Sequence, residues 1–222
     1  MTLENLKIAD IVKEDIRLAG FFQDENIDFC CNGHRQLQEV LAEKALDPEA
    51  FFQRLEAHKA ALDAKGAKED FFNAMTNEEL ITHIRLNHHM FTRQVLKELD
   101  VYTSAILKAH YRHAPELLLQ VNRLYGGLRM ELLEHLIKEE EELFPLILGE
   151  RYAEARVLLE ATEEEHDAAG KLLATLRSIT SDYTLPDWAC NTFKATYHHL
   201  EALESDLFRH IFLENSILFE RF

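Results

Sequence analysis

Apolar residues recur three and four apart along most of the chain, and the strict alternation of a half-buried strand is hard to find. "IADIVKEDIRLAGFF" has this helical spacing near the start; "DFCCNGHRQ" interrupts it, with Asn32-Gly33 as a turn signal. A second short helix is expected from about Arg35. Asp47 then reads as an N-cap with Pro48 in the first helical position, opening "PEAFFQRLEAHKAAL". "DAKGAKED" is the most linker-like stretch, which sets a boundary near residue 65. Residues 1–65 are expected to form a small helical domain and residues 66–222 a larger one. In the latter, Thr76 and Glu79 form a capping box, opening a helix that runs through "LITHIRLNHHMFTRQVLKEL" towards His110. Pro115 opens a second helix, reaching about residue 147, which Gly126-Gly127 should weaken or kink. A third covers about 153–178. "SDYTLPD" breaks the chain, and a fourth runs from about 186 to the end. The prediction is an all-α protein, an up-down-up-down four-helix bundle preceded by a small helical module.

Composition narrows the function classes. Of 222 residues, 47% are hydrophobic and 29% charged, enough for a sizeable core. Forty acids against 24 bases leave a net charge of −16, which repels nucleic acid and anionic membranes. No apolar run approaches the roughly 18 residues of a membrane span, and "MTLENLKIADIVKED" lacks the apolar segment of a secretory signal. Three cysteines, two of them adjacent, make no disulfide framework. The expected location is the cytoplasm.

One pattern is written twice. "HLIKEEEELFP" (135–145) and "HIFLENSILFE" (210–220) both place a Glu four residues after a His and a Leu-Phe pair eight and nine residues after it. Residues four apart share a helix face, so His135 pairs with Glu139 and His210 with Glu214. Upstream, His89 precedes His135 by 46 residues and His166 precedes His210 by 44, each interval a trip to one helix end and back along the next. From His135 to the end of its helix is about 12 residues, and from the next helix start to His166 about 13; at about 1.5 Å per residue, His166 returns to the level of His135. Four imidazoles and two carboxylates then lie in one layer. That set is costly to bury without a cation and suits iron, manganese or zinc. Six ligands are too many for one tetrahedral zinc, but they fit two metals, each taking two His, with both Glu bridging.

A single His-x-x-x-Glu is ordinarily a surface ion pair, and most of the run Glu139–Glu142 reads as a solvated face, with Glu140 and Glu141 turned about 100° and 200° from Glu139. The duplication with matched upstream histidines separates this set from the rest. His34, His58, His83, His110, His113, His198 and His199 lack a counterpart. His88 is the rival of His89; His89 is preferred because Leu96 and Leu99 follow it at the offsets at which Leu173 and Leu176 follow His166.

"NIDFCCNG", "HLIKEEEELFP", "EEEHDAAG" and "HIFLENSILF" together resemble the iron-sulfur cluster repair di-iron proteins, also called repair-of-iron-centres proteins. These are hemerythrin-like bundles with a short N-terminal Cys-Cys domain, and the likeness covers nearly the whole chain. It implies a bridged di-iron centre at His89, His135, His166 and His210 with Glu139 and Glu214, the set that spacing selects. It also implies repair of iron-sulfur proteins damaged by nitric oxide or peroxide, through iron donation or a nitric oxide reductase-type reaction. One departure is Glu220, where the family usually has Pro after Leu-Phe.

Around this set, Glu131 and Asp206 each lie one turn before a ligand histidine, and Glu165 adjoins His166. Each is a candidate to accept the second ring N–H of a ligand, and the resemblance places Glu131 and Glu165 close to the metals. Cys30 and Cys31 lie before a helix start with His34 and Arg35 near, where a thiolate can be stabilised for redox chemistry or iron handover. Cys190 has no motif around it and is expected in the core. The alternative function is a hemerythrin-like module that binds or senses oxygen or nitric oxide, for which a thiol pair has no evident use. A homodimer is left open.

Overall fold

A computed structural model describes residues 6–66 and 71–222. The linker-like stretch expected near residue 65 runs into residues 67–70, which lie outside the described residues. The chain divides into two compact units: Met1–Thr76 with Phe208–Phe222, and Asn77–Leu207.

The first unit holds α1 (Ile8–Glu14), a 3₁₀ turn (Ile16–Leu18), α2 (Ala19–Asp24), α3 (Leu37–Glu43) and α4 (Pro48–Lys65). The Asp47 side chain accepts from Glu49 N at 3.3 Å, capping α4 ahead of Pro48. Between α2 and α3 the chain folds back on α1: Ala9 N donates to Gly33 O at 2.8 Å and Ile8 N to Arg35 O at 3.1 Å. Gly33 is required at this close approach, since a Cβ there would stand 2.3 Å from Phe29 O. The core is aromatic. Phe21 meets Phe51 edge-on at 5.3 Å, and Phe29 packs against Phe212 at 5.8 Å.

The second unit is the bundle. α5 (Asn77–His83) passes through a π-helical turn (Ile84–His89) into α6 (Met90–His110). α7 (Pro115–Lys138) passes through another (Glu139–Leu143) into α8 (Phe144–Leu148). α9 (Tyr152–Ile179) is uninterrupted. α10 (Asn191–Leu213) is followed by a third π-helical turn (Glu214–Leu218) and a 3₁₀ turn (Phe219–Arg221); the division between the units falls within α10. No strand occurs among the described residues, which contain one isolated bridge, Lys7 with Gln36.

Long-range pairs give the bundle its order. α6 runs antiparallel to α7: Tyr125 donates to Asp100 at 2.8 Å, and in the π-helical turn that follows α7, Glu140 accepts from Arg93, further back on α6, at 2.8 Å. α7 packs on α9. α9 reaches α10 through an ion pair in which half-buried Arg177 holds buried Glu204 at 2.7 Å. α10 returns to α6, with His199 on Glu98 at 2.7 Å and Asp206 on His88 at 3.0 Å. Each helix thus has two neighbours.

Two details differ from the sequence reading. α10 begins at Asn191 rather than near 186. Ser181, Asp182 and Tyr183 adopt left-handed φ of 52–54°, and Pro186 to Ala189 closes a further turn, so the chain reverses before the helix can start. Gly126-Gly127 neither breaks nor ends α7, because the helix is held on both sides by packing and the backbone keeps its hydrogen bonds. An added Cβ at either glycine meets nothing within 4 Å. Gly126→Ala with Gly127→Ala should therefore raise stability by about 1–2 kcal/mol in urea denaturation, from recovered helix propensity; a lowered midpoint would show that α7 needs the glycines.

Candidate metal centre

The residues expected as ligands are all buried: His89 and Glu139 and Glu214 at 0% exposure, His210 at 1%, His166 at 2% and His135 at 6%. Within the bundle unit, Glu139 is the hub. His89 Nε2 is 3.3 Å from its Oε2, His135 Nε2 3.3 Å from its Oε1, and His166 Nε2 3.9 Å from Oε1. His135 and His166 bring their Nε2 atoms to 3.1 Å, the level that helix-length counting gives. In the other unit, His210 Nε2 is 3.0 Å from Glu214 Oε1, one turn on. Taking one ligand atom from each residue, two groups fall within 4.8 Å: His89, Glu139, His210 and Glu214; and His135, Glu139, His166 and Glu214. Both carboxylates belong to both groups.

The outer nitrogens settle which inner atoms are donors. His89 Nδ1 lies 2.7 Å from Glu140 Oε1, and Arg93 Nη1 holds the same oxygen at 2.8 Å. His135 Nδ1 lies 2.8 Å from Glu165 Oε2, whose other oxygen accepts from Lys138 Nζ at 2.6 Å. A carboxylate opposite Nδ1 assigns the ring proton to Nδ1 and leaves a lone pair on Nε2. Those lone pairs face Glu139 oxygens, and two acceptors at 3.3 Å repel; a cation between them turns repulsion into ligation. The donor set therefore fits a metal.

Electrostatics agree. Burial alone would push Glu140 up, but hydrogen bonds from Arg93 and His89 outweigh it and hold the carboxyl below its usual range. The His135 hydrogen bond, opposed by burial and aided by Lys138, holds Glu165 down to about 2. Both stay ionised at neutral pH, each with its own cation nearby.

Several sequence expectations change here. Glu140 is not part of a solvated face. The turn of about 100° from Glu139 aims it at α6, where His89 and Arg93 lie. Asp206 does not hold His210; its Oδ1 meets His88 Nδ1 at 3.0 Å, which turns His88 away from Glu139 and leaves that place to His89. Glu165 pairs with His135 across the helix interface rather than with its neighbour His166. Glu131 is exposed. Cys30 is not an activated thiol: burial first, then Cys31 and Asp28, push it well above its usual value, and Arg35 pairs instead with Glu43. Cys190 is exposed rather than in the core, with His110 Nε2 at 3.1 Å from its sulfur.

The π-helical turns were not anticipated. They end at His89 and begin at Glu139 and Glu214. Such turns cluster at functional sites. The Leu-Phe pairs are their trace in the sequence. A widened turn brings residue i+5 close to where i+4 would stand, so both members can be buried, as Leu143, Phe144, Leu218 and Phe219 are. Phe144 stacks on His89 at 5.7 Å and 21°.

Comparison with known proteins now gives the family. Residues 79–222 match the hemerythrin HHE cation binding domain, and residues 4–59 match a domain of unknown function, DUF542. The iron-sulfur cluster repair protein YtfE of Shigella boydii is 34% identical over 221 residues, covering 100% of this chain and 98% of the relative. That of Citrobacter koseri is 32% identical over the same span. The iron-sulfur cluster repair protein ScdA of Staphylococcus haemolyticus is 30% identical over 219 residues, 97% of this chain and 96% of the relative.

The chain belongs to the iron-sulfur cluster repair family.

The hemerythrin HHE domain of this family member contains all of the buried histidines and carboxylates just described. Its departure at Glu220 has a local use, an ion pair with Lys13 Nζ at 2.5 Å. If Glu140 positions His89, Glu140→Gln should lower metal affinity about 10–100-fold, read by competition with a chelator, whereas Glu141→Gln should leave it unchanged. Equal affinity in the two variants would reduce Glu140 to a surface charge.

Proposed function

We propose that this protein restores iron-sulfur clusters damaged by oxidative or nitrosative stress, using two iron ions held by His89, His135, His166 and His210 with Glu139 and Glu214 between them. The observation that carries the reading is the pair of buried donor groups sharing both carboxylates. Two positions with nitrogen-rich ligation and common anionic oxygens suit iron, which such mixed imidazole and carboxylate sets bind well. The full-length relatives carry iron-sulfur cluster repair in their names, and the match extends through the thiol-bearing N-terminal domain. That domain favours repair over a simple oxygen or nitric oxide carrier.

Bound iron supplies either a redox couple for nitric oxide or oxygen, or an ion to pass on. The protein's own residues do the rest. Glu140 and Glu165 keep the Nδ1 protons of His89 and His135 outward. Burial keeps bulk water from competing for the ligands. Cys30 and Cys31 assist by passing electrons or iron, and the partners are damaged iron-sulfur proteins in the cytoplasm. No described helix is long and apolar enough to cross a membrane.

The test is anaerobic purification with iron counted per chain, followed by two assays: reactivation of a damaged iron-sulfur enzyme, and nitrous oxide formation from nitric oxide. Glu139→Ala and Glu214→Ala should each lose most of the iron and the reactivation, while Glu141→Ala keeps both. Iron retained in full by all three variants would remove the shared-carboxylate site. Cys30→Ala with Cys31→Ala should keep the iron and lose reactivation; unchanged reactivation would limit the thiols to packing.

A further inference from the structure

The thiol loop has a geometry of its own. Asp28 Oδ1 accepts from Cys30 N and Cys31 N, both at 3.0 Å, and lies 3.3 Å from Cys30 Sγ. Asp28 Oδ2 accepts from Asn32 Nδ2 at 2.7 Å. The two sulfurs are 3.7 Å apart. One ligand atom from each of Asp28, Cys30 and Cys31 falls within 4.8 Å of the others. A tetrahedral ion with metal–sulfur bonds of about 2.3 Å and a metal–oxygen bond of about 2.0 Å spaces its ligands about 3.8 Å sulfur to sulfur and about 3.5 Å sulfur to oxygen. The loop shows 3.7 Å and 3.3 Å. Two edges of a tetrahedral face thus have the required lengths, and the third donor pair lies within 4.8 Å.

We propose that Asp28, Cys30 and Cys31 form a second cation site, separate from the bundle ligands, that binds one divalent ion of borderline softness, such as iron(II), zinc or cobalt(II). This deepens the role proposed above for the thiols, but it rests on the loop alone and is independent of what the bundle holds.

The loop is built rather than incidental. The backbone N–H groups of Cys30 and Cys31 fix the carboxylate, and Asn32 fixes its second oxygen, so one oxygen stays directed at the sulfurs. Gly33 lets the turn close, as its required absence of a Cβ shows. Phe29 anchors the loop between Phe208 and Phe212, and Asn215 Nδ2 reaches Cys30 O at 3.5 Å. Without a cation the buried Cys30 thiol keeps its proton, held up by burial and by the neighbouring thiol and carboxylate. A divalent ion displaces the thiol protons, so binding releases them to solvent and strengthens as pH rises. Three protein ligands leave a fourth position for water or an incoming ligand, the pattern of sites that exchange rather than of closed structural sites. Half-buried Cys31 and Asp28 and exposed Asn32 leave that side open. Sulfur donors also distinguish this site from the imidazole and carboxylate set.

Cobalt(II) is the probe, because thiolate ligation gives an intense near-ultraviolet charge-transfer band that imidazole and carboxylate ligands do not give. Full-length protein, reduced and anaerobic, with its bundle metals in place, is titrated with cobalt(II). The expected result is a thiolate band that saturates at one ion per chain, is unchanged in Cys190→Ser, and is lost in Cys30→Ser and Cys31→Ser at unchanged bundle metal content. Asp28→Asn keeps both thiols, and the affinity should fall about 10–100-fold or more, since a direct ligand matters at least as much as an outer partner. The absence of a thiolate band in the wild-type protein overturns the site, as does a band that disappears with Cys190→Ser. Unchanged affinity in Asp28→Asn overturns the three-donor assignment. None of these results depends on the iron count or on reactivation, so failure here and failure of the bundle site are separately visible.

Discussion

Everything in the bundle unit follows from burying Glu139. A fully buried carboxylate costs several kcal/mol or more unless positive charge or strong donors surround it. Here three imidazoles bring a nitrogen within 3.9 Å of it, and two of those present lone pairs rather than protons, because Glu140 and Glu165 hold their other nitrogens. The compensation that a lysine or arginine would supply in an ordinary core is thus assigned to a metal. The cations that are present, Arg93 and Lys138, bind the outer carboxylates instead. Charge is layered: metal position, imidazole, carboxylate, surface cation. Each layer fixes the protonation state of the next.

The π-helical turns serve the same constraint. A regular α-helix places residues i+3 and i+4 on the face of residue i and turns i+5 about 140° away. To set a Glu inward and still present both members of the following Leu-Phe pair to the core, the helix must widen by one residue. The backbone bonds so weakened are a local cost, offset by burial of Phe144 against His89 and of Leu218 and Phe219. α9 contributes His166 from an uninterrupted helix.

The N-terminal unit solves a different problem with few residues. Its thiols are neither on a helix nor in a disulfide. They sit in a tight loop whose carboxylate, amide and glycine leave little freedom, with Phe29 driven into an aromatic core. Such a loop keeps two sulfurs side by side, 3.7 Å apart. The bundle's donors are set by long helices and interhelical bonds, the loop's by bonds between residues two to four apart.

Periodicity and punctuation were enough to read the all-α class, the four long helices and the cap at Asp47. Local spacing and helix length together singled out His135, Glu139, His210 and Glu214, and then the upstream His89 and His166, because rise per residue is nearly constant along a helix. Tertiary structure decided what local spacing cannot reach. Adjacent His88 and His89 point about 100° apart, and it is Asp206, 118 positions away, that claims His88. Glu140 looked like a solvated acid beside the ligand Glu139 until α6 brought His89 and Arg93 to it. One of the two thiols was expected to be activated by basic sequence neighbours; in space Arg35 turns to Glu43, and burial with Cys31 and Asp28 raises Cys30. Gly126-Gly127 looked like a kink and is ordinary helix, since packing of α7 on two neighbours outweighs a propensity penalty of about 1 kcal/mol per glycine. Sequence separation along one helix fixes direction and distance; protonation state and partner choice depend on which other helix arrives, and only the packed bundle contains that information.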